Sequence, residues 1–180
     1  MIEGGDRTGK STLQHLLGKH YSALGCDVVK LQFPDRTTPT GRLLNNTLKT
    51  NDEAAAEVSP EEIIADHLIF SANRWDRARV IRKALDCGAV IICDRYTLSG
   101  SVYTRARLEQ IGANVLNGFL QSDDGLPQPD VTFLLERENV LLGSERFETK
   151  ELQRIVRRLF GESAVGVTRL SANGKPEDVL

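Results

Sequence analysis

The sequence predicts a three-layer α/β/α domain built on a five-stranded parallel sheet, and three features predict it. A glycine-rich loop, Gly4-Gly5-Asp6-Arg7-Thr8-Gly9-Lys10-Ser11, joins a short apolar start to a helical repeat. Nearly continuous apolar runs such as Ala89-Val90-Ile91-Ile92-Cys93 have the composition of parallel strands covered on both faces. Between the runs, apolar residues recur at helical spacing, the alternation that builds parallel sheets with crossover helices. At 180 residues the chain is expected to form a single domain, 1–180, able to bury about 70% of its extended-chain surface.

Met1-Ile2-Glu3 ends the first strand, and Leu13, Leu16, Leu17, Tyr21 and Leu24 repeat until Gly25 stops the first helix. The loop between them matches the phosphate-binding pattern of glycine, four free positions, glycine, lysine and serine or threonine, so the expected architecture is that of a P-loop NTPase. Gly4 and Gly9 permit a tight turn and close backbone approach, with successive N–H groups facing phosphate oxygens. Lys10 supplies positive charge for β- and γ-phosphates, Ser11 a hydroxyl for Mg²⁺, and the helix N-terminus its dipole. Met1 and Ile2 are the only apolar residues before the motif, fewer than a buried strand usually has, so either the true N-terminus is missing from this sequence or the strand is unusually short.

Val28, Val29, Leu31 and Phe33 mark the second strand. Pro34-Asp35-Arg36-Thr37-Thr38-Pro39 follows its carboxyl end, the edge where open α/β sheets bind ligands. Position alone leaves Arg36 either a ligand or a surface arginine. A short helix is expected over Gly41 to Leu48 with Leu44 and Leu48 inward, then a surface connector from Thr50 to Val58. Ser59-Pro60-Glu61-Glu62 starts the next helix, with Ser59 as cap, Pro60 at the first position and Glu62 closing a capping box. Arg74 lies one turn after Phe70, so ring and guanidinium share a face. That pair suits a nucleobase and equally suits core packing beside a surface charge. His67 has no metal-ligand partner at helical spacing and is structural or at an interface. A second helix is expected to carry Val80, Ile81 and Leu85 to Gly88.

Asp94-Arg95-Tyr96 leaves the third strand. A carboxylate at the exit of a central strand, beside a phosphate loop, is placed for Mg²⁺ or its water shell, and Arg95 for phosphate. Ser99 to Leu120 reads as largely helical, and Gly125-Leu126-Pro127-Gln128-Pro129-Asp130 as a rigid turn into the strand Val131 to Leu135. Residues 136–148 are expected to form a short lid. Leu152, Ile155, Val156, Leu159 and Phe160 mark a helix with Arg154, Arg157 and Arg158 on its solvated side. Val165 to Leu170 is the expected fifth strand, and Ser171 to Lys175 a loop at the ligand edge.

The net charge of −2 argues against coating of a nucleic-acid polymer, and 40% apolar with 27% charged residues is ordinary for a globular protein. No run has transmembrane length and none resembles a signal peptide, so no membrane partner and a cytoplasmic location are expected. Cys26, Cys87 and Cys93 lack paired or zinc-like spacing; they read as core thiols, Cys26 and Cys93 within strands, in a reducing compartment.

In combination these pieces resemble thymidylate kinase, a nucleoside monophosphate kinase family, of the type with an arginine in the phosphate loop. The resemblance rests on Glu3-Gly4 through Ser11, Phe33-Pro34-Asp35-Arg36, Leu68-Ile69-Phe70-Ser71-Ala72-Asn73-Arg74-Trp75 and Asp94-Arg95-Tyr96. Ser99-Gly100, Gly125 to Asp130 and Glu145-Arg146-Phe147-Glu148 add to it. It implies an ATP set of Gly4, Gly5, Asp6, Arg7, Thr8, Gly9, Lys10, Ser11 and Thr12, with Ala172, Asn173 and Lys175 flanking adenine. It implies that Arg7, Lys10, Asp94 and Arg95 are catalytic, and that Ser11 and Asp94 hold Mg²⁺. For dTMP it implies Asp6 near sugar and phosphates, Arg36 and Arg95 on the phosphate, Phe70 stacked on thymine and Arg74 on its O4 edge. Tyr103 would lie against the deoxyribose, Phe147 and Glu148 over the acceptor, and Phe33, Ser99 and Gly100 in the same pocket. Phe147 departs from the tyrosine frequent at that position, and the lid is shorter than is usual.

The implied reaction is direct transfer of the γ-phosphoryl group of ATP to dTMP, catalysed mainly by orientation and charge neutralisation. A deoxynucleoside kinase would need a base near a sugar hydroxyl instead of arginines for an acceptor phosphate. A non-catalytic nucleotide-binding switch is disfavoured by the joint presence of Lys10, Ser11, Arg36 and Asp94; beyond the phosphate loop there is no DxxG switch motif, nor an NKxD signature. The resemblance further implies a homodimer through the helices around Ser59 to Leu68 and Ile81.

Overall fold

A computed structural model describes residues 1–49, 58–113, 121–138, 147, 149–163 and 166–173. Its strands are β1 (Ile2–Gly4), β2 (Val28–Gln32), β3 (Val90–Asp94), β4 (Phe133–Glu136) and β5 (Thr168–Ser171). They form one parallel sheet in the order β2-β3-β1-β4-β5. The helices are α1 (Lys10–Ala23), α2 (Pro39–Lys49), α3 (Pro60–Asp86), α4 (Thr97–Gln110) and α5 (Lys150–Ser163).

Strand side chains alternate between two apolar layers. Val90 and Ile92 join Leu13, Leu17 and Tyr21 of α1, whereas Ile91 and Cys93 join Ala78 and Ile81 of α3. On β4, Leu135 belongs to the α1 layer, and Leu134 packs with Val102 and Ala106 of α4 and Leu152 and Val156 of α5. This places helices on both sheet faces, the expected three layers. Because β1 is paired with β3, with Ile2 opposite Asp94, the phosphate loop and the Asp94-Arg95-Tyr96 exit leave adjacent strand ends.

Several expectations need correction. The segment read as two helices is one, α3, because Asp76-Arg77-Ala78-Arg79 contains no glycine or proline to interrupt it, and Ala78 and Ile81 keep it seated on the core. Of the three thiols only Cys93 is in the core: Cys26 sits half-buried in the turn before β2, and Cys87 is exposed at the α3 C-cap. Leu24 is exposed at the C-cap of α1 and not on the packed stripe. The Ile81 side chain is buried in the core of its own chain. The helix from Ser99 ends at Gln110, and 114–120 lie outside the described residues, as do 50–57 of the connector. The Ser59 box forms as expected: Glu62 N–H donates to Ser59 Oγ at 3.2 Å and Ser59 N–H to Glu62 Oε2 at 2.8 Å. No helix among the described residues is long and apolar enough to cross a membrane.

Candidate active site

The loop after β1 closes on itself through glycine geometry. Gly4 has φ 141° and Gly9 φ 94°, and a Cβ at Gly4 would stand 2.5 Å from the Leu135 carbonyl oxygen. Arg7 holds φ 58° at the loop tip, an uncommon left-handed conformation for a side-chain-bearing residue. Lys10 is buried and donates through Nζ to the Gly5 carbonyl. Burial, then the nearby Arg95, depress its amine to about 7.

Ser11 Oγ donates to Asp94 Oδ2 at 2.6 Å, joining the first turn of α1 to the end of β3. This donor pair is all oxygen, the chemistry a hard divalent cation such as Mg²⁺ prefers. No cluster of three or more His, Cys, Asp or Glu that could hold a metal exists among the described residues. A cation here would therefore draw its remaining ligands from phosphate and water.

Asp6 is a hub. Its carboxylate accepts from the Arg95 guanidinium, from Tyr103 Oη at 2.7 Å and from Gln153 Nε2 at 2.6 Å. Burial works against its charge, yet Arg95, Tyr103, Lys10 and Gln153 together hold the carboxyl below its usual range. Arg95, at φ 66°, also donates to the Gly4 carbonyl at 2.9 Å and to Ser99 Oγ at 3.2 Å. Ser99 in turn donates to Glu3, whose side chain is wholly buried and whose Oε1 has no partner. Burial pushes Glu3 upward, with Ser99 and Arg95 opposing in part.

A cavity of about 670 Å³ opens beside this hub. Asp6, Arg7, Lys10, Ser11, Asp94 and Arg95 line it together with Phe33 and Arg36. Phe70, Arg74, Ser99, Gly100, Tyr103 and Phe147 are also part of its wall. Phe33 is buried against Tyr96, ring centroids 5.4 Å apart. Arg36 is exposed and donates to Asn45 Oδ1 at 2.9 Å. Its loop is anchored by Asn73, which accepts from the Asp35 amide at 2.7 Å, and by Arg77, which meets Asp35 at 2.6 Å. Arg74 is no surface charge: it is buried and paired with Asp123 at 2.6 Å. The Phe147 ring lies 4.5 Å from the Arg107 guanidinium, and its carbonyl accepts from Gln153.

Thr12 is exposed in the first turn of α1 and does not line the cavity. Ala172 packs in the α1 layer and its amide donates to Glu136, while Asn173 accepts from the Glu138 amide at 3.0 Å; neither lines the cavity. Lys175, Glu148 and most of the expected lid lie outside the described residues. Sequence reasoning overlooked Glu3, Asn73, Asp123 and Gln153 as site residues. Glu3 and Asn73 stand inside motifs already quoted but were given no role there, whereas Asp123 and Gln153 lie outside those motifs and meet partners distant in sequence.

A thymidylate kinase family profile matches residues 2–164. The thymidylate kinase of Danio rerio is 35% identical over 168 residues, covering 90% of this chain and 74% of that protein. The human thymidylate kinase is 34% identical over 166 residues, covering 89% and 73% respectively. Among solved structures, the thymidylate kinase of Candida albicans superposes with a TM-score of 0.80 at 33% identity, over 99% of this chain and 84% of that one.

Proposed function

The chain belongs to the thymidylate kinase family, so its reaction is the ATP-dependent phosphorylation of dTMP to dTDP, a step in dTTP biosynthesis; we propose that its residues divide that work as follows. The observation that carries the assignment is one cavity walled both by the phosphate loop, with Lys10 and Ser11, and by Phe70 and Arg74. Gly4 to Thr12 cradle the ATP phosphates, and Lys10 and Arg7 neutralise charge on them. Ala172, Asn173 and Lys175 flank the adenine. Ser11 and Asp94 hold Mg²⁺, which when bound neutralises charge shared between the β- and γ-phosphates. Arg36 and Arg95 hold the acceptor phosphate against repulsion from the donor, and a phosphate is already nucleophilic enough to need no strong general base. Phe70 stacks on the base and Arg74 donates to O4. Tyr103, fixed by Asp6, lies against the deoxyribose and disfavours a 2′-hydroxyl. Phe147 and Glu148, at the end of a lid over 136–148, close over the acceptor of this single domain.

We place the protein in the cytoplasm as a homodimer. The exposed apolar side chains Leu68 and Trp75, a heptad apart on α3, support an interface there. Leu68→Glu is expected to shift sedimentation to the monomer; an unchanged species would exclude this face. The activity test is ADP release with ATP and Mg²⁺ across dTMP, dUMP, dCMP, UMP and thymidine. Fast turnover on dTMP, weaker on dUMP and absent on thymidine, is expected. Turnover on thymidine in place of dTMP would instead identify a nucleoside kinase.

A further inference from the structure

Arg74 is a cation in a nearly closed setting, 3% exposed, and the base it faces in the reading above is neutral. A buried guanidinium needs a counter-charge, which an uncharged base cannot provide. Asp123 provides it, from a short turn at 121–123 that no substrate role has been assigned. The pairing is two-pronged: Arg74 Nε donates to Oδ1 at 3.0 Å and Nη2 to Oδ2 at 2.6 Å. Asp123 is held in turn by Ser71 of α3, whose hydroxyl donates to the same Oδ1 at 2.7 Å.

The other flank of the guanidinium is set by α4. A Cβ built on Gly100 would stand 2.8 Å from Nη2, 2.9 Å from Nη1 and 3.0 Å from Cζ. Such contacts are ordinarily relieved when a flexible side chain retreats. Here Asp123 prevents retreat. Arg74 Nη1 has no hydrogen-bond partner among the described residues and is not among the buried atoms left unsatisfied, so its donors reach the cavity that Arg74 lines.

We propose that Asp123 is the positioning residue for base selection: it fixes Arg74 between its own carboxylate and the bare backbone of Gly100, so that a rigid set of donors faces position 4 of the pyrimidine. A 4-oxo group meets those donors with lone pairs. A 4-amino group brings hydrogens against them, and a fixed guanidinium cannot turn aside. The inference rests on Arg74 reading the base edge, and its test separates the two.

Full-length Arg74→Ala, Asp123→Asn and Gly100→Ala proteins are compared with the parent for kcat and KM on dTMP, dUMP and dCMP, for the ATP KM, and for melting temperature. Asp123→Asn keeps the shape and removes the charge. It is expected to raise the dTMP KM and to lower the ratio of dTMP to dCMP efficiency at least about tenfold, the scale of one charge-assisted hydrogen bond. The ratio of dTMP to dUMP, which differ only by a methyl, and the ATP KM are expected to hold, which a general loss of structure would not allow. If Asp123→Asn does not fold, Gly100→Ala decides, since alanine favours the helix while its methyl crowds the guanidinium. A dTMP to dCMP ratio that survives Arg74→Ala refutes the base-edge assignment. A ratio that falls with Arg74→Ala but survives both other substitutions overturns the role of Asp123.

Discussion

Asn73→Ala tests whether α3 positions the acceptor loop as well as packing against it. Asn73 is completely buried. Its Oδ1 accepts from the Asp35 amide at 2.7 Å, and its Nδ2 donates to the Asp35 carbonyl at 3.0 Å, to Thr38 Oγ1 at 2.7 Å and to Thr40 Oγ1 at 3.0 Å. Truncation does not orphan all of these groups. The Asp35 carbonyl keeps the Thr38 amide at 3.4 Å, Thr38 Oγ1 still accepts from the Gly41 amide at 3.0 Å, and Thr40 still donates to Asp76 at 2.7 Å. The Asp35 amide loses its partner, at about 1–3 kcal/mol, and the vacated volume adds to that. A total near 3 kcal/mol corresponds to a melting temperature lower by about 6–12 °C for a chain of this size. Because the next residue is Arg36, the dTMP KM is expected to rise about tenfold, with the ATP KM unmoved; a bond worth about 1.4 kcal/mol has that leverage. Scanning calorimetry and steady-state kinetics give both readouts. A melting temperature that falls as expected beside an unchanged dTMP KM would refute the positioning role, and an unchanged melting temperature would refute the hydrogen bonding itself.

Three further outcomes are expected. The fold raises the Glu3 pKa above its usual value of 4.5, so the stability linked to its neutral form is complete below that pH and is lost as pH rises through the folded pKa. Glu3→Gln should therefore melt higher than the parent at pH 8 and close to it at pH 4.5; parallel curves across that range would rule out a raised Glu3 pKa in the fold. Gly41→Ala places a Cβ 1.8 Å from the Asp35 carbonyl oxygen, and the loop must move. It should lower the melting temperature and raise the dTMP KM together, and a variant with parental values of both would contradict the described packing. Asp94→Asn keeps the hydrogen-bonding shape beside Ser11 and removes the charge. The Mg²⁺ concentration needed for half-maximal turnover should rise by about tenfold or more, while binding of metal-free ATP, measured by calorimetry, should not weaken. An unchanged Mg²⁺ requirement would remove Asp94 from the metal site.

The sheet and the phosphate loop were legible because their signals are local. An apolar run such as Val90 to Cys93 is long enough to span the sheet, and the loop's glycines stand beside the lysine they serve. The false break in α3 shows where local signals mislead. Asp76, Arg77 and Arg79 resemble a polar linker, yet Asp76 accepts from Thr40 and Arg77 grips Asp35, so their polarity serves the loop opposite. Residues that position other residues were the least legible. Asp123 lies 49 positions from Arg74, and Gln153 lies 147 positions from Asp6, separations at which a single sequence carries no pairing signal.

Charge accounting narrows that gap. Arg95 has Asp6, Arg77 has Asp35 and Arg74 has Asp123. An arginine that meets a phosphate can take its counter-charge from the ligand. One that reads a neutral base must carry its own, and must carry it on the side away from the base. Arg74 is buried in the cavity wall and so needs a carboxylate behind it, and residues 121–130 hold three candidates, Asp123, Asp124 and Asp130. The fold chose among them: Asp123 is buried against α3, while Asp124 and Asp130 face solvent. The carboxylate that governs which base is read is thus found on a turn outside every motif that identified the chain.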